Sequence, residues 1–181
     1  MQVYIMRHGE AENVVGQGHC DDSQRALTTQ GETEATMMAN WLEKMQIKPT
    51  QVFVSPYLRA QQTCALVTAM MQTTITTLDF ITPAGDAKQV HDFIDGWFSE
   101  QASEQNSKQA QKNIHQSGHS EDVEQSVLFI SHMPLVSYLV AQLTQTANAP
   151  IFTTAAIAHI DYDMDKMHGT LQRLMSPIEL C

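Results

Sequence analysis

Three short apolar runs do most to restrict what this chain can become: residues 2–6 (Gln-Val-Tyr-Ile-Met), Gln51-Val52-Phe53-Val54 and Val127-Leu128-Phe129-Ile130. Each has the length and composition of a short strand, and the third, the most apolar in the chain, reads as buried. Stretches of helical spacing separate them. Thr28 or Thr29 suits a helix N-cap, Glu32 an acidic first turn, and Met38, Trp41, Leu42 and Met45 recur on one face. Ser55-Pro56 predicts a second helix, with Ser55 as N-cap and Pro56 at the first helical position, running to about Met71 with Leu58, Leu66, Val67 and Met70 inward. A weaker strand over Ile75–Leu78 and a turn at Pro83-Ala84-Gly85-Asp86 lead to a helix over 87–98. Residues 99–126 are polar and read as a solvated helix extension or a mobile loop, and Leu135–Leu143 as a helix. Ala156–Tyr162 and Thr170–Met175 read as strands joined near Gly169. Strands alternating with helices predict a three-layer α/β fold: a largely parallel sheet flanked by helices, with an antiparallel edge strand from the last pair. The 181 residues contain no internal repeat and suit one domain, 1–181.

Composition narrows the function classes. A hydrophobic fraction of 43% against 17% charged residues supports a folded core. The net charge of −10 argues against nucleic-acid binding, which depends on Lys and Arg neutralising phosphates. Arginine occurs only at positions 7, 25, 59 and 173, so any anion site draws on few side chains. Cys20, Cys64 and Cys181 show no CxxC spacing, which speaks against disulfides or zinc and for a reducing compartment. No stretch resembles a signal peptide or a membrane span, so the expectation is a cytoplasmic protein away from membranes.

The ends of the three apolar runs carry the chemistry. They finish in Arg7-His8-Gly9, Ser55-Pro56-Tyr57-Leu58-Arg59 and Ser131-His132. Ligands of parallel sheets bind beyond the carboxyl ends of the strands, so two arginines and two histidines would meet at one mouth if the strands are neighbours. Guanidinium groups bind phosphate oxygens bidentately. Imidazole attacks phosphorus or donates to a phosphoryl oxygen, and Gly9 lets the backbone approach an anion closely. The N-terminus of the helix after Pro56 adds a favourable dipole. Such a cluster suits phosphoryl transfer to a histidine and then to water.

Arg7-His8-Gly9, LTTQGETEA (27–35), VSPYLRAQQT (54–63) and Ile130-Ser131-His132, in that order, resemble the histidine phosphatase superfamily in its phosphoglycerate-mutase-like branch. MQVYIMRHGEAE, MANWL (38–42), SHMPLVSYLVAQL (131–143), FTTAAIA (152–158) and MSP (175–177) carry a closer likeness to the branch's phosphohistidine phosphatases, over nearly the whole chain except 99–126. The resemblance implies His8 as nucleophile, with Arg7, Arg59 and His132 holding the phosphoryl oxygens and no metal or other cofactor. It implies a phosphohistidine substrate on a histidine phosphotransfer domain of a sensor kinase or on a phosphocarrier protein, and damping of a phosphorelay.

Mutases and sugar phosphatases of the branch carry an acidic proton donor after the third strand. Here Asp79 and Asp86 lie in the corresponding region without a clear motif; Asp86 is the candidate acid, though it suits a helix N-cap equally. The weak signal for an acid favours phosphohistidine, whose imidazole leaves neutral when its other ring nitrogen is already protonated, over an alkyl phosphate, whose alkoxide needs a proton. Two other readings stay open: a small-molecule phosphomonoesterase or mutase, and a non-catalytic phosphoprotein-binding module, against which an intact His8 argues. Among the remaining polar residues, His115 and His119 stand four apart without a third ligand, His19-Cys20-Asp21-Asp22 lies near the site and suits a plain loop or a substrate contact, and Thr153-Thr154 suit a site lining or a strand start. Met133 and Leu135 are candidates for the rim facing a protein partner.

Overall fold

The computed structural model describes residues 1–13, 21–112 and 125–180. Its strands are β1 (Gln2–Arg7), β2 (Gln51–Val54), β3 (Thr74–Thr77), β4 (Ser126–Ser131), β5 (Ile157–Asp163) and β6 (His168–Met175). Its α-helices are α1 (Thr29–Lys44), α2 (Leu58–Thr68), α3 (Ala87–Lys112) and α4 (Leu135–Thr144). Single 3₁₀ turns sit at Asp22–Gln24 and Pro177–Leu180. The strands form one sheet in the order β3-β2-β4-β1-β5-β6.

Strand alternation divides the core between the two faces of the sheet. Val3, Ile5, Phe53, Val127 and Phe129 pack with Val90, Ile94 and Phe98 of α3 and Leu135, Val136 and Leu139 of α4. Tyr4, Met6, Val52, Val54, Leu128 and Ile130 pack with Ala35, Met38 and Leu42 of α1 and Ala60, Cys64 and Val67 of α2. Because β4 and β1 are covered on both faces, their apolar runs are continuous rather than alternating. Each large side chain fully buried here, such as Phe98 or Phe129, contributes about 1.5–3 kcal/mol. The three-layer α/β reading is therefore correct.

Strands β1 to β4 run parallel, and β5 runs against β1. The expected antiparallel pair lies at the sheet edge, but the reversed strand is β5. The edge strand β6 reverses again and so runs with β1. Residues 164–167 make the connecting turn, with Met167 at φ 48°. Gly169 lies within β6, where a Cβ would come 2.4 Å from Ile160 Cγ2.

Helix boundaries differ from expectation in three places. Thr28 caps α1 as predicted, its hydroxyl accepting the Gly31 N–H at 3.1 Å. Ser55, however, does not cap α2: that helix begins at Leu58 after Tyr57, with no side-chain cap, and ends at Thr68 rather than Met71. The Ser55 hydroxyl is used elsewhere, as shown below. Helix α3 continues past Phe98 to Lys112, so the first part of the polar stretch is a helix extension. Ser99 and Ser103 there bond back to the carbonyls of Asp95 and Ser99. Among the described residues, no helix is long and apolar enough to cross a membrane. His19, Cys20, His115 and His119 lie outside the described residues.

Candidate functional site

The parallel register brings the three polar strand ends together. Arg7 pairs with Ser131, and Met6 and Val54 both flank Ile130. Beyond the strands the backbone continues the same pattern: His8 N–H donates to Ser131 O and Ser55 N–H to Ile130 O, both at 3.0 Å. On the other side, Arg7 N–H donates to Ala156 O, and Ala155 N–H to His8 O. The segment 152–156 thus clamps Arg7-His8 by its main chain, and Arg7 Nη1 donates to Phe152 O at 2.7 Å.

His8 is buried, and its ring has a defined orientation. Nδ1 lies 2.6 Å from Gly9 O, and a carbonyl only accepts, so Nδ1 carries the proton. Nε2 is left with a lone pair, and Arg59 Nε–H donates to it at 3.2 Å. Burial, helped by the charges of Arg59, Arg7 and Arg25, lowers the His8 pKa to about 4 against the opposing pull of the Gly9 carbonyl. At neutral pH the ring is therefore an uncharged imidazole with Nε2 free of a proton.

His132 sits 5.0 Å from His8 between ring centroids and the same distance from Tyr57. Its Nε2 lies 2.7 Å from the Ser55 hydroxyl, whose oxygen also accepts the Tyr57 N–H at 3.4 Å. Its Nδ1 is buried and unpartnered. Burial first, then His8 and the arginines, push its pKa far down, so it too is uncharged.

Arg59, from the first turn of α2, is 3% exposed and lies against the Tyr57 ring. Beyond His8, its Nη1 donates to Asp22 O at 2.6 Å and its Nη2 to Asp22 Oδ2 at 2.9 Å. Asp22 also holds Arg25 through Oδ1 at 2.9 Å. Although partial burial opposes it, hydrogen bonds from both arginines keep the Asp22 carboxyl below its ordinary pKa. Arg7 has a buried, unpartnered Nε. Burial lowers its pKa and nearby Glu34 raises it, but a guanidinium stays cationic.

A second layer of contacts sets the height of the His8 loop. Thr63 Oγ1 accepts Gly9 N–H at 3.1 Å and donates within α2 to Arg59 O at 2.7 Å, tying the end of β1 to α2. Glu34, buried on α1, accepts Glu10 N–H at 2.9 Å. Gln61 donates to Ser55 O and Gln62 accepts Leu27 N–H. The missing side chains of Gly9 and Gly31 let the loop press on the start of α1: a Cβ on Gly31 would stand 2.0 Å from Glu10 O, and one on Gly9 2.5 Å from Gly31 O. Neither backbone atom can yield without moving His8. Gly31→Ala is expected to destabilise the fold by about 1–3 kcal/mol or more and to cut activity at the same time. Urea unfolding checks this, and an unchanged midpoint would contradict the packing.

The four residues expected at the strand ends, Arg7, His8, Arg59 and His132, are thus brought together. Gly9 adjoins them, but its N–H is occupied by Thr63 and its lack of a side chain serves contact with Gly31. Asp86 accepts Lys88 N–H at 2.9 Å and caps α3. No hydrogen bond or ion pair among the described residues joins Asp86 to the cluster, and Asp79 is exposed. Leu135 is 1% exposed and belongs to the core, not the rim. Ser55, Thr63, Glu34 and Asp22 act in the site unforeseen or only as neighbours. The one sequence signal for Glu34 is its place on the apolar face of α1 beside Ala35 and Met38.

Fold and site together define an α/β protein built around an uncharged histidine in a cationic recess at the carboxyl ends of parallel strands. Comparison with known proteins agrees. The histidine phosphatase superfamily (branch 1) model matches residues 3–82. The phosphohistidine phosphatase SixA of Escherichia coli (strain K12) is 37% identical over 99% of this chain and 96% of its own. A SixA homolog of Haemophilus influenzae is 30% identical over 98% of each chain. A solved structure of the protein histidine phosphatase SixA, complexed with tungstate, superposes with a TM-score of 0.76 at 37% identity, covering 100% of both chains. The chain belongs to the histidine phosphatase superfamily, as its strand-end motifs suggested.

Proposed function

We propose that this protein is a phosphohistidine phosphatase acting on a phosphorylated protein through a phosphohistidine formed on His8. The observation that carries the reading is the Gly9 carbonyl on His8 Nδ1, which leaves Nε2 as an unprotonated nucleophile beside the Arg59 guanidinium. In the first step the Nε2 lone pair forms a bond to phosphorus as the N–P bond of the substrate breaks; the bonding pair goes to the substrate nitrogen, and the substrate imidazole, already protonated on its other ring nitrogen, departs neutral. In the second, water attacks phosphorus and the electron pair returns to Nε2, giving inorganic phosphate. Arg7 and Arg59 stabilise charge on the equatorial oxygens. Nδ1 of His132 donates to one of them once its Nε2 accepts the Ser55 hydroxyl proton in a hydrogen bond.

The carboxylates that touch the cluster favour a nitrogen leaving group. Asp22 is kept ionised by two arginines and so is not a ready acid for an alkoxide, while Glu34 is turned to Glu10 N–H. The names of the similar proteins support the same substrate, and tungstate in the SixA structure is an oxyanion of phosphate-like charge. The partner in this reading is a histidine phosphotransfer domain or a phosphocarrier protein in the cytoplasm, and the effect is to damp a phosphorelay. Purified protein is expected to release label from a phosphorylated histidine phosphotransfer domain while leaving a panel of sugar phosphates intact. Turnover of a sugar phosphate with no action on phosphohistidine would establish the ester reading instead. Binding of the phosphoprotein without turnover would make the chain a binding module.

A further inference from the structure

We infer that Asp22 is an internal anion that competes with the phosphoryl group for Arg59 and thereby sets how tightly the site holds phosphate. This rests on the phosphatase reading of the site. A guanidinium as buried as that of Arg59 needs a counter-charge. Asp22 supplies it, and by an unusual arrangement: its carboxylate Oδ2 takes Nη2 at 2.9 Å while its own main-chain oxygen takes Nη1 at 2.6 Å. Two oxygens on the two terminal nitrogens is how a phosphoryl group engages the same fork. The third nitrogen, Nε, is already on His8 Nε2, the atom that would carry phosphorus. Bonding of Nε2 to phosphorus takes up the lone pair that accepts Arg59 Nε–H, so Nε is released toward the phosphoryl group, whereas the two terminal nitrogens become available to it only as Asp22 gives them up.

The surroundings make exchange feasible. The Asp22 side chain is 52% exposed, against 4% for Arg59, so the carboxylate reaches in from solvent and can turn back to it. On leaving Arg59 it keeps Arg25, which it holds through its other oxygen at 2.9 Å. If it stays, a phosphoryl dianion meets a like charge across the guanidinium, and that also costs affinity. Either way the carboxylate weakens anion binding. It keeps Arg59 extended beside His8 between turnovers, and it helps expel product phosphate by reclaiming the fork.

The test is calorimetric titration of the full chain with inorganic phosphate, comparing wild type with Asp22→Asn, Asp22→Ala and Arg59→Ala. Both Asp22 variants are expected to bind phosphate about tenfold tighter than wild type, with stronger product inhibition and no rise in kcat. Their thermal midpoints should respond more steeply to added phosphate than that of wild type, a readout that stays informative even if Asp22→Ala is less stable. Equal or weaker phosphate binding in both variants would overturn the inference, making Asp22 a bystander or a support for Arg59. Failure of the underlying reading looks different: wild-type phosphate binding would then be insensitive to Arg59→Ala.

Discussion

Replacing His8 by alanine is expected to lower phosphohistidine hydrolysis by about 10⁴-fold or more, because it removes the nitrogen that the Gly9 carbonyl leaves unprotonated beside the Arg59 guanidinium. Wild-type protein incubated with labelled substrate and quenched at alkaline pH should carry acid-labile label on His8, and the variant none. His8→Asn serves as a second variant of similar polarity, so a loss of activity can be separated from a loss of fold. The ring itself provides a direct check. Burial and the flanking arginines hold its pKa near 4 rather than 6.5. A depressed pKa means the neutral, nucleophilic form persists as pH falls through 6.5 and is lost only near pH 4. NMR titration of the His8 ring should show that midpoint. A midpoint near 6.5 would mean that the recess is open to water and that half the nucleophile is already protonated there.

The second large effect is expected at Arg59. Its three nitrogens serve His8 and two oxygens of Asp22 at once, so Arg59→Ala removes the counter-charge nearest the attacking nitrogen. A loss of about 10²–10³-fold in kcat/KM is expected. Arg59→Lys should recover little of it, since an ammonium is a point charge and cannot hold a fork of three partners. Because Arg59 is one of the charges that lower the His8 pKa, the ring midpoint should rise in Arg59→Ala. It should still stay below 6.5, because burial is the larger cause. A wild-type rate in Arg59→Lys would show that charge alone, without geometry, suffices.

The catalytic candidates were legible because their signals are local. Arg7-His8, Arg59 and His132 each follow an apolar run closely, and a strand end is where a buried sheet can expose chemistry. The contacts that orient them were not legible. Ser55 before Pro56 has the local pattern of a helix cap, and only the pairing of β2 with β4 reveals that His132, far along the chain, takes its hydroxyl. Asp22 looked like a loop residue because its partner, Arg59, lies on α2. Residues 99–112 have no apolar periodicity, so nothing local distinguished a solvated helix from a loop, and α3 was extended by its own backbone hydrogen bonds past the last core residue, Phe98.

By itself, then, the sequence determined the alternation of buried strands with helices, the three-layer class and the identity of the residues at the strand ends. Burial and helix capping act over a few residues and leave their marks in the order of side chains. Tertiary structure decided which strand ends are neighbours, which ring nitrogen of His8 is left without a proton, and which carboxylate faces Arg59. Those depend on charges and hydrogen-bond partners brought within 3 Å of one another from segments as far apart as β1 and β4. They depend also on the close approach of the Gly9 and Gly31 backbones, which exists only once α1 has packed against the loop.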